Sequence, residues 1–362
     1  MSPPMNRRTF VALVSSGLGG IAGCVGSRPV GSRQTVTSNS TSTATPTNTP
    51  TAMQTETPTP TETAEPESFT LDGRRVERTR YDLRRLPYEK RPQFILERRE
   101  PPRCAYNVDE LDGIDNLQMA TIDGVTGHMP IRTSRMIMRL LHCYRAIDRG
   151  PYLDKAEEIA DAFLDSATMV DGLPYFAYTL PKGGSGEDFE PPWYSGMSQG
   201  TSLSAFLRLY EETGDEEYLA VADDIFETFT RLGPREDPWT VMVDDDGYYW
   251  IEEYPHDPPT HVLNGFNVGL WGLYEYWLLR DTAESRALLE AAITTIEHYI
   301  EAFRVSGEVS WYGLNRGYRG NEYYHAVHIR QLRELHNITG DPYFAEMEAA
   351  FDADSPESEG MK

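Results

Sequence analysis

Lysine is scarce in this sequence. The chain has 362 residues and 33 basic side chains, yet only four are lysine: Lys90, Lys155, Lys182 and Lys362. Aspartate and glutamate number 57, so the formal net charge is −24. This balance argues against a nucleic-acid-binding protein and is typical of adaptation to high salt, where screening removes the repulsion between carboxylates. We therefore expect a halophilic protein.

Cysteine is almost as rare, with three residues: Cys24, Cys104 and Cys143. No Cys-x-x-Cys or cysteine/histidine spacing typical of a metal site occurs, and no glycine-rich phosphate loop is present. Cys104 and Cys143 are open to two interpretations, a disulfide in an exported protein or unpaired buried thiols. Nothing in the sequence calls for a metal or another cofactor.

The N-terminal apolar run is too short to cross a membrane comfortably. It follows the pair Arg7-Arg8 and ends at Ile21-Ala22-Gly23-Cys24. This pattern predicts a Tat-type lipoprotein signal peptide at residues 1–23, with an ordinary signal peptide as the alternative. We therefore expect an exported protein, lipidated at Cys24 and anchored to the outer face of the cell membrane.

The rest of the chain divides by composition. Residues 24–68 are rich in Ser, Thr and Pro, which predicts a disordered stalk because such a segment buries little apolar surface. Residues 69–351 form one large domain that begins with an arginine-rich arm, and residues 352–362 form an acidic tail.

Helical periodicity repeats along this domain. The apolar spacing from Tyr152 to Phe163 recurs from Tyr218 to Phe229, and a second amphipathic run precedes each copy. About four such pairs follow one another at about 60-residue intervals, joined by loops rich in Gly, Pro, Trp and Tyr. The pattern predicts an all-α fold, an (α/α) toroid or barrel with long aromatic loops and small β-hairpins. A helical solenoid without an active site is the alternative.

One stretch of the domain, residues 246–276, concentrates polar and aromatic side chains. Glu252, Glu253 and Tyr254 precede Pro255, an extended or turn position from which side chains can enter a cleft. Neighbours in an extended segment point to opposite sides, so we expect Glu252 to face solvent when Glu253 faces the cleft.

Two turns are predicted around this stretch. Residues 244–247, Asp-Asp-Asp-Gly, favour a hairpin turn over a calcium loop, because the alternating ligand spacing of such a loop is missing. Asn264-Gly265 favours a turn in front of a helix that begins at Phe266. The loop at residues 192–200, with Trp and Tyr rings, offers surfaces on which a sugar chain could stack.

The segment from Arg304 to Arg333 is locally positive. It carries five arginines against two glutamates, together with His325 and His328, in a strongly acidic chain. A positive island of this kind favours an anionic ligand. The alternative is that arginine replaces lysine everywhere in this protein and that the neighbouring tyrosines belong to the core.

Five motifs follow one another in the second half of the chain. They are Trp-Tyr-Ser-Gly-Met-Ser-Gln-Gly at 193–200, Glu-Glu-Tyr-Pro at 252–255, Leu-Asn-Gly-Phe at 263–266, Tyr-Gly-Leu at 312–314 and Tyr-His-Ala-Val-His-Ile-Arg-Gln-Leu at 324–332. In this order they resemble the C-terminal catalytic domain of the D-glucuronyl C5-epimerases. The resemblance implies an isomerase that interconverts glucuronate and iduronate residues of a polysaccharide without a cofactor.

The resemblance also implies roles for individual residues. Glu253 and Tyr324 would be the opposed proton-transfer pair, with Tyr254 and Tyr312 lining the same pocket. The implied substrate-binding residues are Trp193, Tyr194, Gln199, Asn264, Asn315, Arg316, Arg319, His325 and His328. The family has an arginine where this chain has Asn315, so Arg316 or Arg319 could replace it. Animal members also carry a β-rich domain ahead of the helical one, which we do not find between the stalk and the barrel.

Two other functions remain open at this point. A uronate lyase would begin with the same proton abstraction at C5, and a non-catalytic glycan-binding lipoprotein could keep the same fold. The expected partners are an anionic glucuronate-containing polysaccharide and, through Cys24, the membrane, with no nucleic acid. A homodimer is left open.

Overall fold

The computed structural model describes residues 67–92, 104, 106–147, 150–182, 189–236, 238–315 and 320–354. The predicted signal peptide with Cys24, the stalk up to residue 66 and the tail from residue 355 lie outside these ranges, as do Arg316 and Arg319. Among the described residues, no helix has the length and apolar character needed to cross a membrane.

Helices dominate the described part of the chain and come in four consecutive pairs. They are α1 (Pro130–Ile147), α2 (Gly150–Asp165), α3 (Gly196–Thr213), α4 (Glu216–Thr228), α5 (Leu263–Arg280), α6 (Ala283–Phe303), α7 (Glu322–Thr339) and α8 (Pro342–Asp354). The odd-numbered helices pack side by side in the order α1, α3, α5, α7, and each even-numbered helix packs on the one before it. The prediction of an all-α toroid of about four helix pairs is confirmed.

Small β-elements precede the first three helix pairs. Three antiparallel hairpins form from β1 (Glu67–Leu71) with β2 (Arg74–Arg78), β3 (Met119–Ile122) with β4 (Val125–His128), and β5 (Thr168–Val170) with β6 (Leu173–Tyr175). A three-stranded sheet contains β7 (Leu232–Gly233), β8 (Val241–Val243) and β9 (Tyr249–Ile251), in that order. The elements from β3 to β9 all precede an odd-numbered helix, so they gather where those helices begin.

The aspartate-rich turn between β8 and β9 is the predicted hairpin. The two strands are antiparallel and pair Val241 with Ile251. The Asp244 carboxylate accepts hydrogen bonds from the backbone N–H groups of Asp246 and Tyr248, at 3.0 and 2.8 Å. Gly247 has φ +93°, a value that glycine adopts without steric cost.

Glycines bring α3 and α5 into close contact. A Cβ atom on Gly200 would overlap the backbone of Gly269, and one on Gly272 would overlap the backbone of Gly200. Two predictions were therefore wrong: residues 196–200 belong to α3 rather than to a loop, and Asn264-Gly265 lies in the first turn of α5. The sequence reasoning placed Gly200 in a loop and Gly265 in a turn, whereas their missing side chains permit close packing.

The N-terminal arm runs across four helices. The backbone N–H of Thr79 donates to Thr294 Oγ1 of α6 at 2.7 Å, and that of Arg84 donates to the Ile338 carbonyl of α7 at 2.7 Å. Further along, Leu86 N–H donates to the Tyr274 hydroxyl of α5 at 2.9 Å. Arg91 forms a bidentate ion pair with Glu211 of α3, at 2.6 and 2.8 Å. Most of these contacts lie in the second halves of the odd-numbered helices, away from β3 to β9.

A buried ion pair lies in the second halves of α3 and α5, near the arm. Arg208 of α3 donates to both carboxylate oxygens of Glu275 of α5, at 2.8 and 2.5 Å. The two side chains are 2% and 1% exposed. Tyr88 of the arm covers the pair, with the Arg208 guanidinium carbon 4.7 Å from its ring centroid. The pair therefore depends on both helices and on the arm.

Cys104 and Cys143 form a disulfide, which decides between the two interpretations of the sequence. Their Cα atoms are 4.5 Å apart. Cys143 is buried in α1, so the bond fixes residue 104 to the first helix pair.

Candidate active site

The candidate site lies where the odd-numbered helices begin. The first two turns of each helix supply one polar side chain: Arg135 from α1, Ser198 from α3, Asn264 from α5 and Tyr324 from α7. Glu253, two residues after the end of β9, reaches the same place. Residues that are far apart in the sequence thus meet because the connecting β-elements all lie at this end.

Glu253 is the buried acid of the site, with 3% of its surface exposed. It packs against Gly265, where a Cβ atom would overlap the carboxylate. Asn264 Nδ2 donates to Oε2 at 3.2 Å, and the Tyr312 hydroxyl lies 3.3 Å from each carboxylate oxygen. Tyr254 also forms a hydrogen bond with Glu253. The carboxylate is therefore held between the start of α5 and two phenols.

Burial raises the pKa of Glu253 above its usual value. Hydrogen bonds from Tyr254 and Tyr312, and the charges of Lys182 and Arg135, oppose this rise without cancelling it. Burial and the nearby carboxylate hold the pKa of Tyr254 and of Tyr312 well above 10, so both phenols stay protonated at neutral pH. A carboxylate with a raised pKa is a better proton acceptor near neutral pH than an ordinary glutamate.

Tyr324 completes the group at the start of α7. Its ring centroid lies 4.7 Å from that of Tyr312, and the two rings meet edge to face. The Asn321 side chain accepts from the backbone N–H of Tyr324 at 3.0 Å and caps the helix there. The structure thus brings together all four residues implied as catalytic, with Tyr312 between Glu253 and Tyr324.

Glu252 was predicted to face solvent, and this prediction was wrong. Its side chain is fully buried. One oxygen accepts from Thr260 N, Thr260 Oγ1 and His261 N at 3.2, 3.0 and 3.0 Å, and the other lies 2.6 Å from His261 Nδ1. Because β9 ends at Ile251, the alternation of an extended strand no longer applies, and Glu252 instead holds the loop that leads into α5.

Aromatic rings line one side of the site. Trp193 stacks on Tyr178 with ring centroids 3.9 Å apart, and it lies 5.8 Å from Tyr254. Phe189 contacts both Trp193 and Tyr254, at 5.4 and 5.9 Å. Lys182 Nζ lies over the Tyr254 ring, 3.7 Å from its centroid. Flat rings with a cation beside them suit an anionic sugar.

Three of the implied substrate-binding residues hold loops together. Gln199 is buried, donating to the Pro174 carbonyl at 2.9 Å and accepting from Phe176 N–H at 3.2 Å. The Tyr194 hydroxyl donates to Thr168 Oγ1 at 3.2 Å, and Asn315 Nδ2 donates to the Pro259 carbonyl at 2.9 Å. The side-chain amides and the hydroxyl that were expected to bind the sugar therefore form hydrogen bonds within the protein.

His325 and His328, also implied as substrate-binding, are buried around Ser310. His325 Nδ1 accepts from the Ser310 N–H at 3.1 Å, and its Nε2 lies 2.8 Å from the Phe351 carbonyl of α8. His328 Nδ1 lies 2.8 Å from Ser310 Oγ, and burial lowers the pKa of His328 to about 3. Their hydrogen bonds attach the loop before α7 to α7 and α8.

Two cations at the site were missed by the sequence reasoning. Arg135 is indistinguishable in sequence from any polar position on an amphipathic helix, and only the packing of α1 brings it near Tyr178, Tyr323 and Glu253. Burial lowers the pKa of Arg135 to about 9. Lys182 did carry a signal, because it is one of only four lysines in the chain. Among the described residues, no group of three or more histidine, cysteine or acidic side chains could hold a metal ion.

Comparisons with known proteins concern the same part of the chain. Residues 174–353 match the family model described as D-glucuronyl C5-epimerase C-terminus. The chain is 27% identical over 168 residues to an uncharacterized protein of Methanocaldococcus jannaschii, which covers 46% of this chain and 51% of that protein. It is 28% identical over 169 residues to the D-glucuronyl C5-epimerase of Caenorhabditis elegans, which covers 42% of this chain and 27% of that protein.

The matched lengths limit what these relatives say of the whole chain. The alignments span about half of the first relative and about a quarter of the second. Among solved structures, the cellobiose 2-epimerase of Bacillus thermoamylovorans has a TM-score of 0.45 and 12% identity, over 63% of this chain and 60% of that one. The family match and the site motifs fall on the same residues, and the region from residue 174 to residue 353 belongs to the D-glucuronyl C5-epimerase C-terminal family.

Proposed function

We propose that this protein is a carbohydrate epimerase that inverts C5 of glucuronate residues within an anionic polysaccharide. One observation carries the proposal: the buried Glu253 carboxylate is hydrogen-bonded to Tyr312, whose ring contacts Tyr324. Inversion at C5 needs a proton to leave one face of the sugar and another to arrive at the opposite face. A buried carboxylate after β9 and a phenol at the start of α7, which approach the same tyrosine, support that chemistry.

The proposed reaction transfers protons only. A base removes the C5 proton, which is acidic because C5 is bonded to the substrate's carboxylate carbon, and the electron pair moves into that carboxylate. A proton donor then returns a proton to the other face of C5. Glu253 and Tyr324 are the proposed pair, and Tyr254 and Tyr312, as neutral phenols, are positioned to donate hydrogen bonds to the negative charge that develops.

The full-length protein, an unsulfated glucuronate-containing polysaccharide and D2O at high salt provide the test. We expect deuterium at C5 and new iduronate signals in the proton NMR spectrum, with no ultraviolet absorbance from an unsaturated uronate. Such absorbance would instead identify a uronate lyase. Binding without exchange, on every glucuronate polymer tried, would leave a non-catalytic glycan-binding protein and overturn the proposal.

Variants assign the roles. Glu253→Gln and Tyr324→Phe should lose C5 exchange and keep polysaccharide binding, because each keeps its shape and loses its proton-transfer group. Tyr210→Phe is the matched control, since Tyr210 lies in the last turn of α3, away from the helix starts that form the site. Equal activity in all three variants would show that the proton-transfer pair lies elsewhere.

We also propose that the protein acts outside the cell, attached to the membrane through lipidated Cys24. The order of Arg7-Arg8, the apolar run and Cys24 supports this, and the disulfide between Cys104 and Cys143 suits an oxidising compartment. Cys24→Ser should move the protein from the membrane fraction to the medium. Retention of the variant in the membrane fraction would contradict the lipid anchor.

A further inference from the structure

The site contains more positive charge than the implied proton-transfer pair requires. Two cations lie close enough to Glu253 for their charges to lower its pKa. They are Arg135 of α1, before the family region, and Lys182, which lies in the segment between β6 and α3, within that region. Two independent elements therefore deliver cations to one buried carboxylate.

Both cations lie beside aromatic groups of the site. Lys182 Nζ lies 3.7 Å from the centroid of the Tyr254 ring and 6.0 Å from that of Phe189. Arg135 lies near Tyr178, whose ring stacks on Trp193, and near Tyr323 at the start of α7. A sugar lying against this aromatic surface would have both cations within reach.

Charge complementarity indicates what these cations bind. The chain has a formal net charge of −24, so two cations near one site differ in sign from most of its charged side chains. Removing a proton from C5 of a uronate pushes electrons into its carboxylate, and nearby fixed cations stabilise that charge most where water is excluded. Without these cations, the negative charge of Glu253 would repel the carboxylate of the substrate.

We infer that Arg135 and Lys182 together bind the carboxylate of the sugar residue that reacts, a role that rests on the proposed function of this site. In the protein without substrate, the charges of the two cations act on Glu253. A bound uronate carboxylate would share them, so Glu253 would become more basic when the proton is to be removed. Binding of the correct, charged sugar would thus strengthen the base.

The inference is tested by binding rather than by turnover. The full chain is titrated with an unsulfated oligosaccharide that contains glucuronate, and with the same oligosaccharide after its carboxylates have been reduced to alcohols. We expect the native protein to prefer the charged form. Arg135→Gln and Lys182→Gln should each lower that preference by about 10- to 100-fold, as expected for the loss of one charge-assisted hydrogen bond.

Controls separate this role from a loss of folding. Arg132→Gln removes an exposed arginine from the same helix and should keep the full preference. Arg135→Lys keeps the charge in case Arg135→Gln fails to fold, and Lys182→Gln tests the second cation from a different element. The preference should be retained in part in Arg135→Lys.

The outcomes also distinguish this inference from the proposed function. Unchanged preference in Arg135→Gln and Lys182→Gln, with normal C5 exchange in the native protein, would overturn the inference and leave the function standing. Preference that depends on both cations without any C5 exchange would support the inference and overturn the function. No preference in the native protein would overturn the carboxylate-binding role directly.

Discussion

Gly265→Ala gives a sharp test of where Glu253 lies. An added Cβ atom at residue 265 would overlap the Glu253 carboxylate and its Cβ atom, so one of the two must move. Gly265 lies in the first turn of α5, which is fixed by the close contact between α3 and α5. We therefore expect the Glu253 side chain to be displaced rather than the helix.

The expected effect on stability is small and the effect on activity is large. Overpacking costs about 1–3 kcal/mol, and replacing a helical glycine by alanine returns about 1 kcal/mol. The net loss of about 0–2 kcal/mol is modest against the usual 5–15 kcal/mol of folding. A displacement of about 1 Å at a reacting group, by contrast, lowers the rate by about 100-fold.

The assay is C5 hydrogen exchange by NMR together with a urea denaturation curve. Gly150→Ala is the matched control, because a Cβ atom there meets nothing within 4 Å at an exposed position of α2. Full activity in Gly265→Ala would refute the reasoning, since Glu253 would then not need its present position. Loss of folding without loss of rate per folded molecule would do the same.

Two further predictions concern stability. Because the pKa of Glu253 is raised in the folded protein, its favourable contribution is present at low pH and is lost as pH rises through that pKa. Glu253→Gln should therefore gain stability relative to the native protein as pH rises above 4.5, the ordinary pKa of a glutamate, in urea titrations, and a constant difference would contradict the raised pKa. Arg208→Met leaves the Glu275 charge buried and should cost about 3–5 kcal/mol, most of which the double variant Arg208→Met/Glu275→Leu should recover. A cost in the double variant equal to that in the single one would show that the buried charge is not the cause.

The sequence predicted the helix pairs because their apolar spacing is regular. It also brought Glu253, Tyr254, Tyr312 and Tyr324 into one hypothesis, since their motifs resemble a family in order and spacing. The structure places all four together.

Other positions depend on contacts that no local pattern encodes. Gly200 was predicted in a loop and Gly265 in a turn, although both lie in helices, where their missing side chains let other residues pack closely. The prediction for Glu252 used the alternation of side chains along a strand, which no longer applies after the end of β9. Arg135 carried no local signal, because a polar residue on a helix is ordinary until the packing of that helix is known.

The arm across α6, α7, α5 and α3 has a consequence for how the protein folds. Residues 79–91 are synthesised before all four of these helices, yet their hydrogen bonds reach Thr294 and Ile338. Contacts between such distant parts of a chain form late and slow the overall rate, because a long loop must close first. The arm must wait for the last helix pair to emerge, and until then the ends of the earlier helices are uncovered and prone to self-association.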